Sequence, residues 1–239
     1  MNEPIIYPAT DTPVLRWATD TLRSHGIAIA DAPASNVTHL LLPIPTRTDY
    51  HPLLRELPAN VTLIGGGLDV PSMDLLKDEI YLAKNAMITA HVALTLAAQS
   101  LPITLAECPV LILGFGRIGK CLARLLHATG ACVTVAARKI QDRAMAQALG
   151  YGAVNIQELS HILCRYRIIM NTVPYPVLSL AQQTHCRPDC VKLELASTPG
   201  IEGDAIQARG LPGKYAPESS GRLIGQTILR LLAETEVSR

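Results

Sequence analysis

Hydrophobic positions along this chain follow two rhythms. After Thr12 and Pro13, the residues Val14, Leu15, Trp17, Ala18 and Leu22 recur at helical spacing. The pattern predicts an amphipathic helix capped by Thr12, opened by proline at its first position and closed near Gly26. Short apolar runs follow at 27–30, 38–42 and 61–64, and each ends at a turn: Asp31-Ala32-Pro33, Pro43-Ile44-Pro45 and Gly65-Gly66-Gly67. Runs of this length between turn residues read as buried strands. Residues 1–84 are therefore expected to form a small α/β domain. Its loops Pro45-Thr46-Arg47-Thr48 and the triple glycine are expected at the carboxyl ends of the strands, where open α/β sheets bind ligands.

Residues 84–100 read as a turn followed by a helix with Thr89 as N-cap, because a threonine oxygen can accept from a first-turn amide. This places a linking helix within 85–105. Next come an apolar run, Val110 to Leu113, then Gly114-Phe115-Gly116-Arg117-Ile118-Gly119, then Leu122, Ala123, Leu125 and Leu126 on a helix that stops at Gly130. Val133 to Ala136 form the next strand. A strand, glycine turn, helix and second strand is the setting that a dinucleotide fingerprint requires. A helix over 141–149 and strands over 167–171 and 191–195 extend the unit, so 106–217 is expected to be a Rossmann-type domain. From Glu218 onward, Leu223, Ile224, Ile228, Leu231 and Leu232 keep helical spacing, and the segment 218–239 is expected to pack back on the first domain. The fold class that follows is α/β: a Rossmann-type doubly wound parallel sheet with a second, smaller, flavodoxin-like α/β domain.

Composition sharpens this picture. The 239 residues are 49% apolar with only one Trp and one Phe, so the core must be aliphatic, as in layers built on buried parallel strands. With 21 Lys and Arg against 20 Asp and Glu, the chain carries no basic surplus for nucleic acid or an anionic membrane. The opening residues lack the basic start and apolar centre of a secretory signal, and there is no span of about 18 uninterrupted apolar residues. Six cysteines stand in apolar segments without a C-x-x-C pair, and read as buried thiols of a soluble cytoplasmic protein. His185, Cys186 and Cys190 are too few for a metal site.

The chemistry is expected at four places. In the glycine turn, Gly114 permits a tight bend, Gly116 lets backbone approach a pyrophosphate, Gly119 lets helix and strand pack, and the amides at Arg117 and Ile118 face the anion. At the end of the second strand an NAD site usually carries Asp or Glu, but Ala136-Ala137-Arg138-Lys139 stands here. Arg138 and Lys139 suit a 2'-phosphate, which favours NADP(H) over NAD(H). Thr172, Val173 and Pro174 follow the strand at 167–171, on the side of the sheet where a nicotinamide would project. Gly210 to Gly221 reads as a proline-fixed loop, in which Lys214 and the helix start at Glu218, Ser219 and Ser220 suit a substrate carboxylate.

These motifs together carry a resemblance. From about Asn85 to Ile224 the chain resembles the family of dipicolinate synthase A subunits, a relative of the D-2-hydroxy acid dehydrogenase architecture. The matching residues are Asn85-Ala86 with Thr89-Ala90, Leu113 to Gly119, Val133 to Arg138, Asn171 to Pro174, Leu195-Ala196-Ser197 with Pro199-Gly200, and most specifically Gly210 to Pro217. The resemblance implies an enzyme of sporulating bacteria that oxidises dihydrodipicolinate to dipicolinate with NADP+ or NAD+, in concert with a flavoprotein-like B subunit; a homo-oligomer is expected besides. On that reading Arg47, Thr89, Lys214, Ser219 and Ser220 bind the two ring carboxylates, Lys214 also serves the reaction, and His91 is the proton acceptor.

The chain departs from the family at three places. His91 stands where the family has Glu. The stretch between Gly200 and Gly210 is short, so the sixth strand is expected to be missing or reduced. The first domain is also abbreviated. An NADP-dependent dehydrogenase or reductase for another small carboxylate, and a non-catalytic protein that binds NADP(H), are the alternatives that share these motifs.

Overall fold

Each of the short apolar runs is a strand of a parallel sheet in the computed structural model, which describes residues 3–47 and 49–237. The chain divides into two units, one made of Met1–Asn85 with Pro212–Arg239 and the other of Ala86–Leu211.

The first unit contains β1 (Ile5–Pro8), α1 (Pro13–Ser24), β2 (Ala28–Ile29), β3 (His39–Leu41), α2 (His51–Leu54), β4 (Thr62–Gly65) and β5 (Met73–Asp74). A single 3-10 turn, Leu75–Lys77, leads into α3 (Glu79–Gln99). The strands lie in the order β2-β1-β3-β4-β5, all parallel, which is the flavodoxin-like arrangement. β1 holds an inner place in the sheet, although its run Ile5-Ile6-Tyr7 between Pro4 and Pro8 is too short to stand out in the sequence. Proline is tolerated at both margins because neither position must donate to the ladder.

α1 starts as its sequence requires. The Thr12 hydroxyl accepts from the Leu15 amide at 3.3 Å and Pro13 opens the helix, with Leu15, Ala18, Thr19 and Leu22 on the buried face. α1 also packs along α8 (Pro217–Val237), through the neighbouring stripe of Val14, Trp17, Ala18 and Thr21. Gly221 and Gly225 make the approach possible. A Cβ on Gly221 would run into Trp17 Cβ and the Val14 carbonyl, and one on Gly225 would lie 2.7 Å from Thr21 Cβ and 2.9 Å from the Ala18 carbonyl. Near the other end of α8, Arg230 donates to Asp78 Oδ2 at 2.6 Å, while Asp78 Oδ1 accepts from the Tyr81 amide at 2.6 Å. Asp78 thus caps α3 and anchors α8 to it.

The second unit takes in most of α3, then β6 (Pro109–Leu113), α4 (Arg117–Ala128), β7 (Cys132–Ala137), α5 (Ile140–Ala148), β8 (Gly152–Asn155), β9 (Ile168–Asn171), α6 (Leu180–Gln183), β10 (Val191–Glu194) and β11 (Ile206–Gln207). The order β11-β10-β9-β6-β7-β8 is parallel throughout. The strand order reverses between β6 and β9, which makes the carboxyl ends of these strands a topological switch point. Successive side chains of β6 alternate between layers. Val110 and Ile112 pack with Ala90, Ala93 and Ala97 of α3 and with Leu122 and Leu126 of α4, whereas Leu111 and Leu113 pack with Leu159, Leu163 and Leu178.

Several expectations are corrected. Thr89 is not an N-cap: α3 begins ten residues earlier, and Thr89 is buried within it. Much of the expected linking helix is α3, along which the chain passes from the first unit to the second, and its small residues line the core of the second unit. The sixth strand is reduced, as expected: β11 is only two residues long. Gly210 to Gly221 is not a plain loop. Its middle is the short helix α7 (Leu211–Tyr215), and residues from Pro212 onward belong to the first unit. Of the six free cysteines only Cys108 is buried; Cys132 and Cys164 are exposed and the others half-buried.

The Asp78 anchor yields a pH-dependent prediction. Burial raises the Asp78 carboxyl, but the Tyr81 amide and the Arg230 guanidinium outweigh it and hold the group below its ordinary value. A carboxyl held low in the folded chain contributes stability above the unfolded value, and that contribution disappears as pH falls through the lowered one. Asp78→Asn is expected to cost about 1–2 kcal/mol near neutrality and progressively less as the pH drops below about 4. Urea unfolding of both proteins at pH 7, 5 and 3 measures this, and a cost that does not change with pH would contradict it.

Candidate functional site

The turn after β6 assigns a different physical task to each of its three glycines. Gly114 has φ +97°, in the region that L side chains avoid, and a Cβ there would meet Thr172 Oγ1 at 2.6 Å and Val173 Cγ2 at 2.8 Å. A Cβ on Gly119 would run into the Gly114 carbonyl, so the missing side chain is what lets α4 rest on the strand. Gly116 is the opposite case, because among the described residues beyond its chain neighbours none lies within 4 Å of the place a Cβ would take. It is the N-cap of α4, and it makes no side-chain capping hydrogen bond to the first turn. First-turn amides have no acceptor within a helix, and together with the helix dipole they make an anion site when they face open space. Arg117 stands exposed beside this opening and Ile118 is half-buried. The residues present thus fit a pyrophosphate.

On the β7 side of the turn, Ala136 and Ala137 are buried, and Arg138 and Lys139 emerge exposed at the strand end. Arg143, which no motif singles out, reaches back from α5 and donates to the carbonyls of Ala137 (2.9 Å) and Arg138 (2.7 Å). It holds the backbone of this corner and leaves the Arg138 side chain at the surface.

On the other side lie the loops that follow β9 and β10. The Thr172 hydroxyl donates to the Leu113 carbonyl at 2.9 Å, so it buttresses the glycine turn. Val173 is half-buried and Pro174 exposed. Beneath them sits a polar pair that sequence reasoning does not bring together: Asn171 and Glu194, both fully buried and facing each other in register at the ends of β9 and β10. Glu194 accepts at both oxygens, from Asn171 Nδ2 (2.9 and 3.0 Å) and from the amides of Ala196 (3.0 Å), Gly200 (2.7 Å) and Ile201 (2.9 Å). Asn171 also exchanges hydrogen bonds with the backbone of Val173. The one available signal is that each apolar strand ends on a polar residue at a matched position.

The other expected site residues are distributed as follows. Thr89 and His91 lie on α3 in the second unit, Thr89 buried and His91 exposed. Arg47, Lys214, Ser219 and Ser220 belong to the first unit. Lys214 is exposed on α7, its ammonium 4.9 Å from the centre of the Tyr215 ring. Ser219 is exposed in the first turn of α8; Ser220 is buried, and its hydroxyl has no hydrogen-bond partner among the described residues. Arg47 is exposed after β3, and Thr48 beside it lies outside the described residues. The triple glycine is not an open cradle. Gly65 and Gly66 are packed against Thr46, Ile44, Leu68 and Leu76, and Asp74 Oδ1 accepts from the Gly67 amide at 3.0 Å. Among the described residues no group of three or more His, Cys, Asp or Glu side chains is placed to hold a metal. Cys190, near Cys186, is pushed up to about 12, chiefly by burial.

Residues 96–177 match the family described as D-isomer specific 2-hydroxyacid dehydrogenase, NAD binding domain. That stretch includes the glycine turn and the loop after β9. The chain is 32% identical over 161 residues to the A subunit of dipicolinate synthase of Bacillus subtilis (strain 168), a match that covers 64% of this chain and 54% of that relative. The matched stretch is thus about half of that relative's length. The solved structure of the dipicolinate synthase A subunit from Bacillus halodurans superposes with a TM-score of 0.84 at 20% identity, covering 97% of this chain and 98% of the other. The solved structure of its B. subtilis counterpart superposes at 0.81 and 22% identity, covering 100% and 98%. At these identities the structural likeness is one of fold. In sequence this chain is similar to the A subunit of dipicolinate synthase, in fold it is like that protein, and residues 96–177 of its second unit match the NAD binding domain of the D-isomer specific 2-hydroxyacid dehydrogenases.

Proposed function

We propose that the chain is an oxidoreductase that uses NADP(H), with NAD(H) as the alternative, and acts on a small ring dicarboxylate. Its reaction on this reading is the oxidation of dihydrodipicolinate to dipicolinate during sporulation. The observation that carries the reading is the turn after β6, where an open Gly116 stands at an uncapped helix start between a tight Gly114 and a packed Gly119. The identity with the A subunit of dipicolinate synthase supports the substrate class.

When bound, the nicotinamide supplies the hydride acceptor, and the aromatic ring formed makes the step favourable. The protein has to orient the partners and handle one proton. The amino end of α4, with Gly114, Gly116, Arg117, Ile118 and Gly119, holds the pyrophosphate. Arg138 and Lys139 take a 2'-phosphate on a corner that Arg143 keeps rigid, and no carboxylate stands at 136–139 to repel it. On the nicotinamide side Val173 and Pro174 offer contact surface, and Thr172 contributes through its hold on Leu113. The assignments of Arg47, Thr89, Lys214, Ser219 and Ser220 to the ring carboxylates, and of the exposed His91 to the proton, follow the resemblance to the A subunits of dipicolinate synthase. We assign the protein to the cytoplasm, as a homo-oligomer working with a flavoprotein-like B subunit.

Three experiments test this reading. Gly116→Ala is expected to leave stability within about 1 kcal/mol, whereas Gly119→Ala costs about 1–3 kcal/mol by overpacking, and calorimetry should find NADP+ binding lost in both. Retained binding in Gly116→Ala would remove the pyrophosphate from this turn. Arg138→Ala should weaken NADP+ about tenfold, the loss of one charge-assisted hydrogen bond, and leave NAD+ unchanged; equal losses would take the 2'-phosphate away from Arg138. Lys214→Ala should abolish dipicolinate formation, followed by its ultraviolet absorbance with a B subunit present, while NADP+ still binds. If the unaltered protein binds NADP+ yet forms no dipicolinate, the substrate is another small carboxylate.

A further inference from the structure

Resting on that dinucleotide reading, we infer that Glu194 and Asn171 are positioning residues for the nicotinamide half of the cofactor, joining the two loops that would flank it into one rigid wall. The topology supplies the first step. The pyrophosphate turn follows β6, the 2'-phosphate corner lies on the β7 side, and the loops after β9 and β10 lie on the opposite side of the switch point. A dinucleotide laid across the carboxyl ends of such a sheet therefore directs its adenosine toward Arg138 and its nicotinamide toward 172–174 and 195–201.

The second step is the bonding beneath those loops. A fully buried carboxylate is tolerated only when its oxygens are well supplied with donors. Both Glu194 oxygens are supplied from within these loops, by three backbone amides and the Asn171 side-chain amide. Asn171 in turn clamps Val173 by its amide and its carbonyl. Gly200 closes the assembly: a Cβ there would lie 2.5 Å from Asn171 Nδ2 and 2.9 Å from the Val173 carbonyl, and its own carbonyl accepts from Val177 at 2.8 Å and Leu178 at 3.1 Å. Neither side chain is exposed, so neither is available to touch a ligand. Their work is done through the backbone of 173 and of 196–201. None of these bonds reaches Arg138 or the open face of Gly116, and the 2'-phosphate corner has a support of its own in Arg143.

This separation sets the test. Binding of NADP+ and of 2'-phospho-ADP-ribose, which lacks the nicotinamide, is measured by calorimetry for the unaltered protein, Glu194→Gln and Asn171→Ala. Glu194→Gln turns one acceptor into a donor facing backbone amides; Asn171→Ala removes one donor and leaves the other three. In each variant NADP+ should bind at least tenfold more weakly while the fragment stays within twofold. Circular dichroism reports whether each variant is folded, and if Glu194→Gln is not, Asn171→Ala decides. Parallel loss of both ligands, no loss of either, or collapse of both variants would overturn the proposal, because a purely structural role would then suffice. If the unaltered protein binds neither ligand, it is the dinucleotide reading itself that fails.

Discussion

A missing methyl group governs the second unit. The amino end of α4 can meet the carboxyl end of β6 only because Gly119 brings no Cβ against the Gly114 carbonyl. That contact sets where the helix begins, and therefore where its unpaired amides point. Gly114 then turns the chain at a positive φ against Thr172 and Val173, so the loop after β9 is fitted to the same turn. The open space at Gly116 is what remains once its neighbours are packed. An anion site here needs no dedicated side chain, since the backbone and the helix dipole supply the field.

The first unit solves a similar problem with a different contact. Its flavodoxin-like sheet has α1 on one face, and α8 reaches α1 closely because Gly221 and Gly225 remove the side chains that would hold them apart. Asp78 then joins the start of α3 to Arg230 of α8. The chain leaves this unit at α3 and re-enters it at Pro212. Lys214, Ser219 and Ser220 are thereby carried by the same unit as Arg47, and the cofactor motifs by the other.

How much of this is legible in the sequence differs by kind of signal. Local patterns read well: the Thr12 and Pro13 start of α1, the β6 run, the glycine turn, the apolar stripes of α4 and α8. Each of these is decided by neighbours within a turn or two. Short elements are lost for the same reason. β1, β5, β8 and β11 have two to four residues and are strands only because a ladder partner lies beside them. Thr89 misleads, since threonine caps helices by local bonding, yet the apolar and small residues on both sides of it let α3 run through and bury it. Lys214 looks like a loop residue because prolines and glycines surround it, but Pro212 falls in the first turn of α7, where it is tolerated.

The sequence by itself determined the two-sheet α/β class, the position of the dinucleotide turn and the basic residues that end β7, because spacing and residue type in short windows carry that information. Only the tertiary structure decided that the Thr172 hydroxyl is spent on Leu113, that the triple glycine is filled by its own neighbours, and that Glu194 and Asn171 support two loops at once. Those facts depend on residues tens of positions apart becoming neighbours across parallel strands. No local pattern records which buried acceptor will meet which distant amide.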